Sequence, residues 1–543
     1  MAIEAPSSLT DLPIELLPGI IEYSLPEGFE SLALTCRALY TLCIPFIEHH
    51  NRLRKRFREF RYDDVSTDPS LPCISAAITL IAYIAAEPRA ARYIIHADFE
   101  LDGVYPSNQA SRSIAPVLHD TGPVAALFAH SAELAEAGLD WEEYYARAKS
   151  QVNRDDSEWE CFYSQHAAAF VLTLLPNAKD ISLPMNWVPF EETEWLIRAI
   201  IRKTRQPNSL RSRPSLAEVA DLRMGCTPSC PASQALSILT PFLSLPHMQC
   251  LVYGYGEMSG HRMFLGSSQS PHLRFGDTLT TAHFWDADID GVLVEFLRRT
   301  PDLKSLRYAR KRRADRWCKG QDLCRAVTAI GREIGSSLEE LSLTEAHFEE
   351  PPPTEIPPHA SLPPVKVYMR SFKCLRRLEF PLDLALCNIR AALSGKRNGT
   401  RSSIGLALEA LDNGLTEQQI REIEVSVRDL IPPSVVELSL LSRGQDHHDI
   451  ALKAMFRGFA ANKHSRWPAL KDLYLSCPTD GEATEAYLGE CTKLSVETAN
   501  AGVVLHLRSD CKDVFDWPEP YHPCFSPLDP TPDRRLNAQI AAF

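Results

Sequence analysis

A short phrase recurs along this chain: an apolar or prolyl lead-in followed by L-x-x-L-x-L or a close variant. It reads PNAKDISL, PSLAEVADL, PHMQCLVYG, PDLKSLRYA, SSLEELSL, KCLRRLEF, PSVVELSL, PALKDLYL and AGVVLHL. Its middle apolar residues are Ile181, Val219, Leu251, Leu306, Leu341, Leu378, Leu438, Leu473 and Leu505. Their spacings are 38, 32, 55, 35, 37, 60, 35 and 32 residues, a period a little over 30. Each of the two long gaps has room for one degenerate unit, near Leu279 (LTTAHF) and near Leu406 (IGLALEAL). In a strand alternate residues share a face, so the last two apolar residues of each phrase point into one core. The earlier one packs the turn that enters the strand.

Short amphipathic helices separate the phrases, among them EWLIRAIIRK, ASQALSILTPFLSL, DGVLVEFLRRT, DLCRAVTAIGREIG, TEQQIREIEVSVRDL and ALKAMFRGFAAN. A strand and a helix at fixed period cannot close a core alone; stacking closes it. The body of the chain is therefore expected to be an α/β array, a βα solenoid.

Ahead of it stands DLPIELLPGIIEYSLPEGFESLALTCRALYTLCIPFI, Asp11 to Ile47. Thr10 or Asp11 can cap a helix, and Pro13 suits its first turn, where the N–H lacks a partner anyway. Leu12, Leu16, Leu17, Ile20 and Ile21 then form an apolar stripe. A second helix carries Leu32, Leu34, Cys36, Leu39, Leu42 and Cys43, with Arg37 outward, until Pro45 interrupts it. A helical hairpin of roughly 40 residues has more apolar surface than it can bury alone.

The pattern Leu12-Pro13-x-Glu15-Leu16-Leu17, Ile20-Ile21, then Leu32-x-Leu34-x-Cys36-Arg37-x-Leu39-Tyr40 resembles an F-box, and its CRALY ending is similar to the version common in filamentous fungi. L-x-x-L-x-L in turn resembles an irregular leucine-rich repeat. The resemblance implies a substrate-recognition subunit of an SKP–cullin–F-box ubiquitin ligase. Its F-box holds a Skp-type adaptor, which in turn binds a cullin scaffold. Its repeats bind a target protein on their concave face or rim. Leu12, Pro13, Leu16, Ile20 and Ile21 would make the adaptor contact, with Leu32, Cys36 and Leu39 behind. A repeat scaffold that assembles no ligase is the alternative. One departure is Pro18, where the family usually has an ordinary helix former. An interior proline costs about 3 kcal/mol, so the helix is expected to kink or restart there.

The expected organisation is an F-box at 8–50, then a helical linker and first solenoid unit with a helical insertion at 51–170. The leucine-rich-repeat solenoid follows at 171–510 and a Pro-rich tail or cap at 511–543. RLRKRFREFRYDD reads as a charged helix leaving the F-box. CISAAITLIAYIAA followed by ARYIIHADFEL has the same helix-then-strand order and reads as the first unit. ELAEAGLDWEEYYARAKSQ and CFYSQHAAAFVLTLLP read as helices of the insertion. EEPPPTEIPPHASLPPV is too proline-rich for helix or central strand.

The net charge of −13 argues against general nucleic-acid binding, which needs a basic face. The longest apolar run, Cys73 to Ala86, is too short to cross a bilayer. Fifteen cysteines, an odd number without a framework, and the lack of a secretory apolar region point to a reducing cytosol or nucleus. No catalytic residue and no cofactor are expected.

Other candidate chemistry is weak. Gly254, Gly256 and Gly260 with Asp277 have a dinucleotide-like spacing, but no convincing helix follows the glycines. Cys226 and Cys230 need Cys250 or His247 to complete a zinc site. His447-His448, beside Asp446 and Asp449, reads as a polar loop. Arg310, Lys311, Arg312, Arg313 and Arg316, directly after a repeat strand, form a basic loop that could bind an acidic partner or act as a nuclear localisation signal.

Overall fold

A computed structural model of the chain describes residues 9, 12–62, 73–103, 122–150, 163–185, 187, 190–206, 213–226, 239–255, 278–285, 293–311, 321–346, 369–394, 427–442, 444, 447–476 and 483–508. Twelve strands among them form one open, all-parallel sheet: β1 (Glu59–Arg61), β2 (His96–Asp98), β3 (Asp180–Leu183), β4 (Asp221–Cys226), β5 (Cys250–Tyr255), β6 (Thr281–Trp285), β7 (Ser305–Lys311), β8 (Glu340–Ala346), β9 (Arg377–Pro381), β10 (Glu437–Leu441), β11 (Asp472–Ser476) and β12 (Val504–Arg508). Their order in the sheet is their order in the chain. The fold is thus mixed α/β.

The recurrent phrase sets the register. Ile181, Leu222, Leu251, Ala282, Leu306, Leu341, Leu378, Leu438, Leu473 and Leu505 stand side by side across β3 to β12. The row continues back through Ala97 to Phe60. Two residues on, Leu183, Met224, Tyr253, Phe284, Tyr308, Leu343, Phe380, Leu440 and Leu475 form a second buried row. Both rows belong to one continuous core with the helices. Because side chains alternate along a strand, the intervening residues face the other side of the sheet.

The marker Val219 needs correction. It lies in the turn before β4, and Leu222 holds its place in the ladder. The unit expected near Leu279 is β6, whose ladder residue is the smaller Ala282. Leu406 lies outside the described residues, and β9 pairs directly with β10, so no strand stands between them. The charged run is helical as far as Phe57, as expected, and turns to strand at β1.

Three helices precede the sheet: α1 (Leu16–Ser24), α2 (Phe29–Ala33) and α3 (Arg37–Phe57). The expected start at Pro13 is replaced by one at Leu16. Pro13 lies in the preceding turn, where its carbonyl accepts the Leu16 N–H. Pro18 therefore falls in the first turn and removes no hydrogen bond the helix could have made. Pro45 does not end its helix; α3 runs through it for 21 residues.

Helices α4 (Ala77–Ala86) and α5 (Ala90–Tyr93) join β1 to β2, and the insertion α6 (Gly122–Ala129), α7 (Ala132–Ala137), α8 (Trp141–Lys149) and α9 (Gln165–Val171) joins β2 to β3. Further on lie α10 (Glu191–Thr204), α11 (Val294–Arg299), α12 (Gln321–Ile334), α13 (Leu382–Ser394), α14 (His448–Phe456), α15 (Phe459–Arg466) and α16 (Glu485–Asn500). Two expected single helices are split at glycine. Gly138 between α7 and α8 has φ +71°, and Gly458 between α14 and α15 has φ +66°, a conformation that ends a helix. Among the described residues no helix is long and apolar enough to cross a membrane. The Pro-rich segment 349–365 and residues 511–543 lie outside the described residues.

Candidate functional site

The N-terminal helices have a small core of their own. Leu17 and Ile21 of α1 turn inward, and Ile21 with Leu25, Phe29, Ala33 and Cys43 forms a cluster separate from the main one. Leu32, Leu42, Phe46 and Ile47 pack partly against it. Burial raises the Cys43 thiol above its ordinary pKa.

What this core leaves outside is apolar too. Ile14 (64% exposed), Leu16 (54%), Tyr23 (85%), Leu34 (80%), Tyr40 (47%) and Ile44 (54%) all face solvent. On α1, Leu16 and Tyr23 are seven residues apart, two turns on one side. On α3, Tyr40 and Ile44 are one turn apart. Leu34 lies just past α2. Each helical segment thus presents apolar surface in two directions, one satisfied within the chain and one not.

The eight residues expected at an adaptor contact divide accordingly. Pro13 and Leu16 are exposed, and Leu12, Ile20, Leu32 and Cys36 are half-buried. Ile21 and Leu39 are buried in the chain. Ile21, expected on the contact face, instead holds that face from beneath. Ile14, Tyr23, Leu34, Tyr40 and Ile44 take the outer positions. Adjacent pairs such as Leu16-Leu17 and Ile20-Ile21 hid this division, because each puts one apolar residue on either side of the helix.

The helical unit is fastened to the start of the array. Glu22 pairs with Arg89 and Glu27 with Arg92. Asn177 donates to Glu27 at 2.5 Å and to the Arg92 carbonyl at 2.6 Å. His50 Nδ1 meets the Tyr93 hydroxyl at 2.9 Å, and its ring packs on Phe29 with centroids 4.7 Å apart. Burial holds the His50 pKa below its ordinary value, against the opposing pull of Glu30.

The second surface of interest is the sheet face turned away from the helices. Its middle is buried: Val252, His283, Arg307, Ser342, Glu379 and Ser439, side by side on β5 to β10, are all inaccessible. Glu379 accepts a hydrogen bond from Ser342 at 2.7 Å. Burial first, then Arg307 and Arg223, push His283 down to about 3. The two ends of the face are more open. On β1 and β2, Arg61 pairs with Asp98 at 2.8 Å. Burial and then Asp98 raise nearby Glu100 to about 7. Burial and the neighbouring Asp180 raise Asp221 to about 6. At the other end the rings of Tyr474 and His506 stack at 4.4 Å.

Of the basic run, Arg310 and Lys311 are the last residues of β7, in register with Glu345 and Ala346, rather than the start of a loop. β7 and β8 are seven residues each, longer than most of their neighbours, and pairing carries into the run. Arg312, Arg313 and Arg316 lie outside the described residues.

Cys226 and Cys250 occupy opposite ends of paired strands, because Asp221 aligns with Cys250 and Cys226 with Tyr255. Five residue steps along a strand span about 17 Å, too far for one metal ion. Burial pushes the Cys250 thiol up to about 12. Among the described residues no group of three or more His, Cys, Asp or Glu is arranged to hold a metal. Gly254 is a mid-strand residue of β5; Cys230, Gly256, Gly260 and Asp277 lie outside the described residues.

His447-His448 is not a loop. His448 opens α14, with His447 as its N-cap at φ +68°. Ser442 and Asp383 flank His448 at 2.8 Å and 3.6 Å. The Gly444 N–H donates to the Ser442 hydroxyl oxygen. Ser442 and His448 are both buried, and these contacts tie the end of β10 to the start of α13.

No protein-family model matches the chain, and no curated protein matches it.

Proposed function

We propose that this chain is the substrate-recognition subunit of an SKP–cullin–F-box ubiquitin ligase. Its first three helices are an F-box docked on a Skp-type adaptor, and through it on a cullin. The parallel array behind them is an irregular leucine-rich-repeat solenoid that holds a target protein. It works in the cytosol or nucleus. The ligation chemistry takes place on other subunits.

The observation that carries this reading is the apolar surface left outside the N-terminal core. Six of the twelve large apolar side chains exposed among the described residues fall between Ile14 and Ile44. Apolar exposure concentrated on one small unit marks an interaction surface. The same helices bury a second apolar side in their own core, so they reach a partner already folded. The ties from Glu22, Glu27 and His50 to Arg89, Arg92 and Tyr93 fix the unit against the array. An adaptor bound on one would then hold the other at a set position.

The test is capture from a lysate with the full chain and with L16D/L34D. Deleting residues 8–50 instead would cut α3 midway and expose its core. The wild-type chain is expected to retain adaptor and cullin, and the variant to lose both. Proteins retained by both are candidate targets. Adaptor without cullin favours the scaffold reading, and equal retention of adaptor by the two proteins removes the docking assignment.

A further inference from the structure

Residues 52–61 carry Arg52, Arg54, Lys55, Arg56, Arg58 and Arg61 against one acid, Glu59, in a chain whose net charge is −13. The end of α3 and the start of β1 gather them at the beginning of the array. Most are engaged. Arg54 pairs with Glu30, Arg61 with Asp98, and Arg52 bonds to His49 at 2.8 Å. The Arg56 guanidinium lies 5.1 Å from the Tyr83 ring centroid. Lys55 and Arg58 differ: both are exposed, and among the described residues no ion pair or hydrogen bond holds either side chain.

These two line an open hollow of about 400 Å³ with Asn51, Arg54 and Glu59. Asn51, Lys55 and Arg58 fall at i, i+4 and i+7, one stripe of the helix about 10 Å long. At the negative end of the α3 dipole, which would repel an anion, one carbonyl is already engaged. The Arg58 carbonyl accepts the N–H groups of Ile95 at 3.2 Å and His96 at 2.9 Å.

We propose that this hollow binds an acidic peptide segment of another protein, through carboxylates set against Lys55 and Arg58 and an amide contact from Asn51. An extended peptide covers 10 Å in about three residues, so two acidic side chains reach both cations. Glu59 in the wall opposes a concentrated dianion more than it opposes carboxylates spread along a chain. The acidic remainder of the protein opposes a long polyphosphate. Lys55 and Arg58 lie outside residues 14–44, so the inference does not rest on the adaptor reading.

The test is fluorescence anisotropy of the full chain at low salt with four labelled probes of equal length. These are an aspartate-rich peptide, its asparagine counterpart, a phosphoserine peptide and a single-stranded RNA. The aspartate peptide is expected to bind, to weaken at least tenfold in K55E/R58E and less in K55Q/R58Q, and to dissociate as salt is raised. K493E, a reversal at an exposed lysine of α16, is expected to change nothing. Circular dichroism melts check that the variants fold. The proposal is overturned if the aspartate and asparagine peptides bind alike, if K55E/R58E binds as the wild type does, or if phosphoserine peptide or RNA is preferred.

Discussion

Replacing Leu16 and Leu34 by aspartate is expected to abolish capture of a Skp-type adaptor while the chain stays folded. Both side chains are more than half exposed, so neither change opens a cavity. Leu16 is the first residue of α1, where a carboxylate is favourable to the helix dipole. At an interface the effect is reversed. Truncating a buried anchor commonly costs about 2 kcal/mol or more, and a charge left in an apolar contact adds to that. Two such changes lower affinity by on the order of a thousandfold. Isothermal calorimetry on purified chain and adaptor measures this, with thermal melts as the folding control. Affinity within a few-fold of wild type would mean that the two leucines face nothing in the complex. Ile21→Ala is the wrong probe, because Ile21 is fully buried in the small core and its loss would weaken the unit itself.

The second large effect is one of pH. Asp102 is 1% exposed. One carboxyl oxygen accepts the Ala77 N–H at 2.8 Å, at the start of α4, and the other is buried with no hydrogen-bond partner among the described residues. Burial pushes its pKa up to about 8, against the opposing pull of the Ala77 bond. In the unfolded chain an aspartate titrates near 3.9. The folded protein therefore holds a proton that the unfolded chain has lost between about pH 4 and pH 8. The associated stability is fully present below pH 4, falls as pH rises, and is gone above pH 8. At about 1.4 kcal/mol per pH unit the loss is on the order of 4 kcal/mol by pH 7.

Asp102→Asn keeps an acceptor for Ala77 and cannot ionise. The variant is expected to gain on the wild type by several kcal/mol between pH 4 and pH 8, the gap opening with pH. Urea unfolding at pH 5, 7 and 9 measures it. Glu100 and Asp221 also titrate upward, but they are common to both proteins and cancel in the difference. Parallel pH profiles would show that Asp102 is ionised in the fold.

The array was legible in the sequence because one constraint repeats. A leucine that must sit beside the leucine of the next unit recurs at a readable interval, and eight of the nine markers lie in the ladder. Val219 misled because its phrase has an apolar residue three positions before Leu222, so the turn resembles the strand. β1 was hidden because Phe60 is its one buried residue, between exposed Glu59 and Arg61, inside a run that charge alone makes look helical. The N-terminal unit was legible as helical and apolar, but not in which apolar residues face out. In α1, neighbours of equal hydrophobicity occupy both sides, and only packing against Phe29 and Cys43 selects Ile21 for the inside. The hollow at Lys55 is not legible in a run that reads simply as a charged helix, since spacing does not reveal which cations find partners.

On the proposed reading, the outer side of the first three helices is an interface. Hydrogen–deuterium exchange of the full chain, alone and with a Skp-type adaptor, tests it most directly. Slowed exchange confined to the segments carrying Ile14, Leu16, Tyr23, Leu34, Tyr40 and Ile44, with β3 to β12 unchanged, is the predicted result. Unchanged exchange across residues 12–57 at saturating adaptor, or protection that falls only on the array, would contradict it.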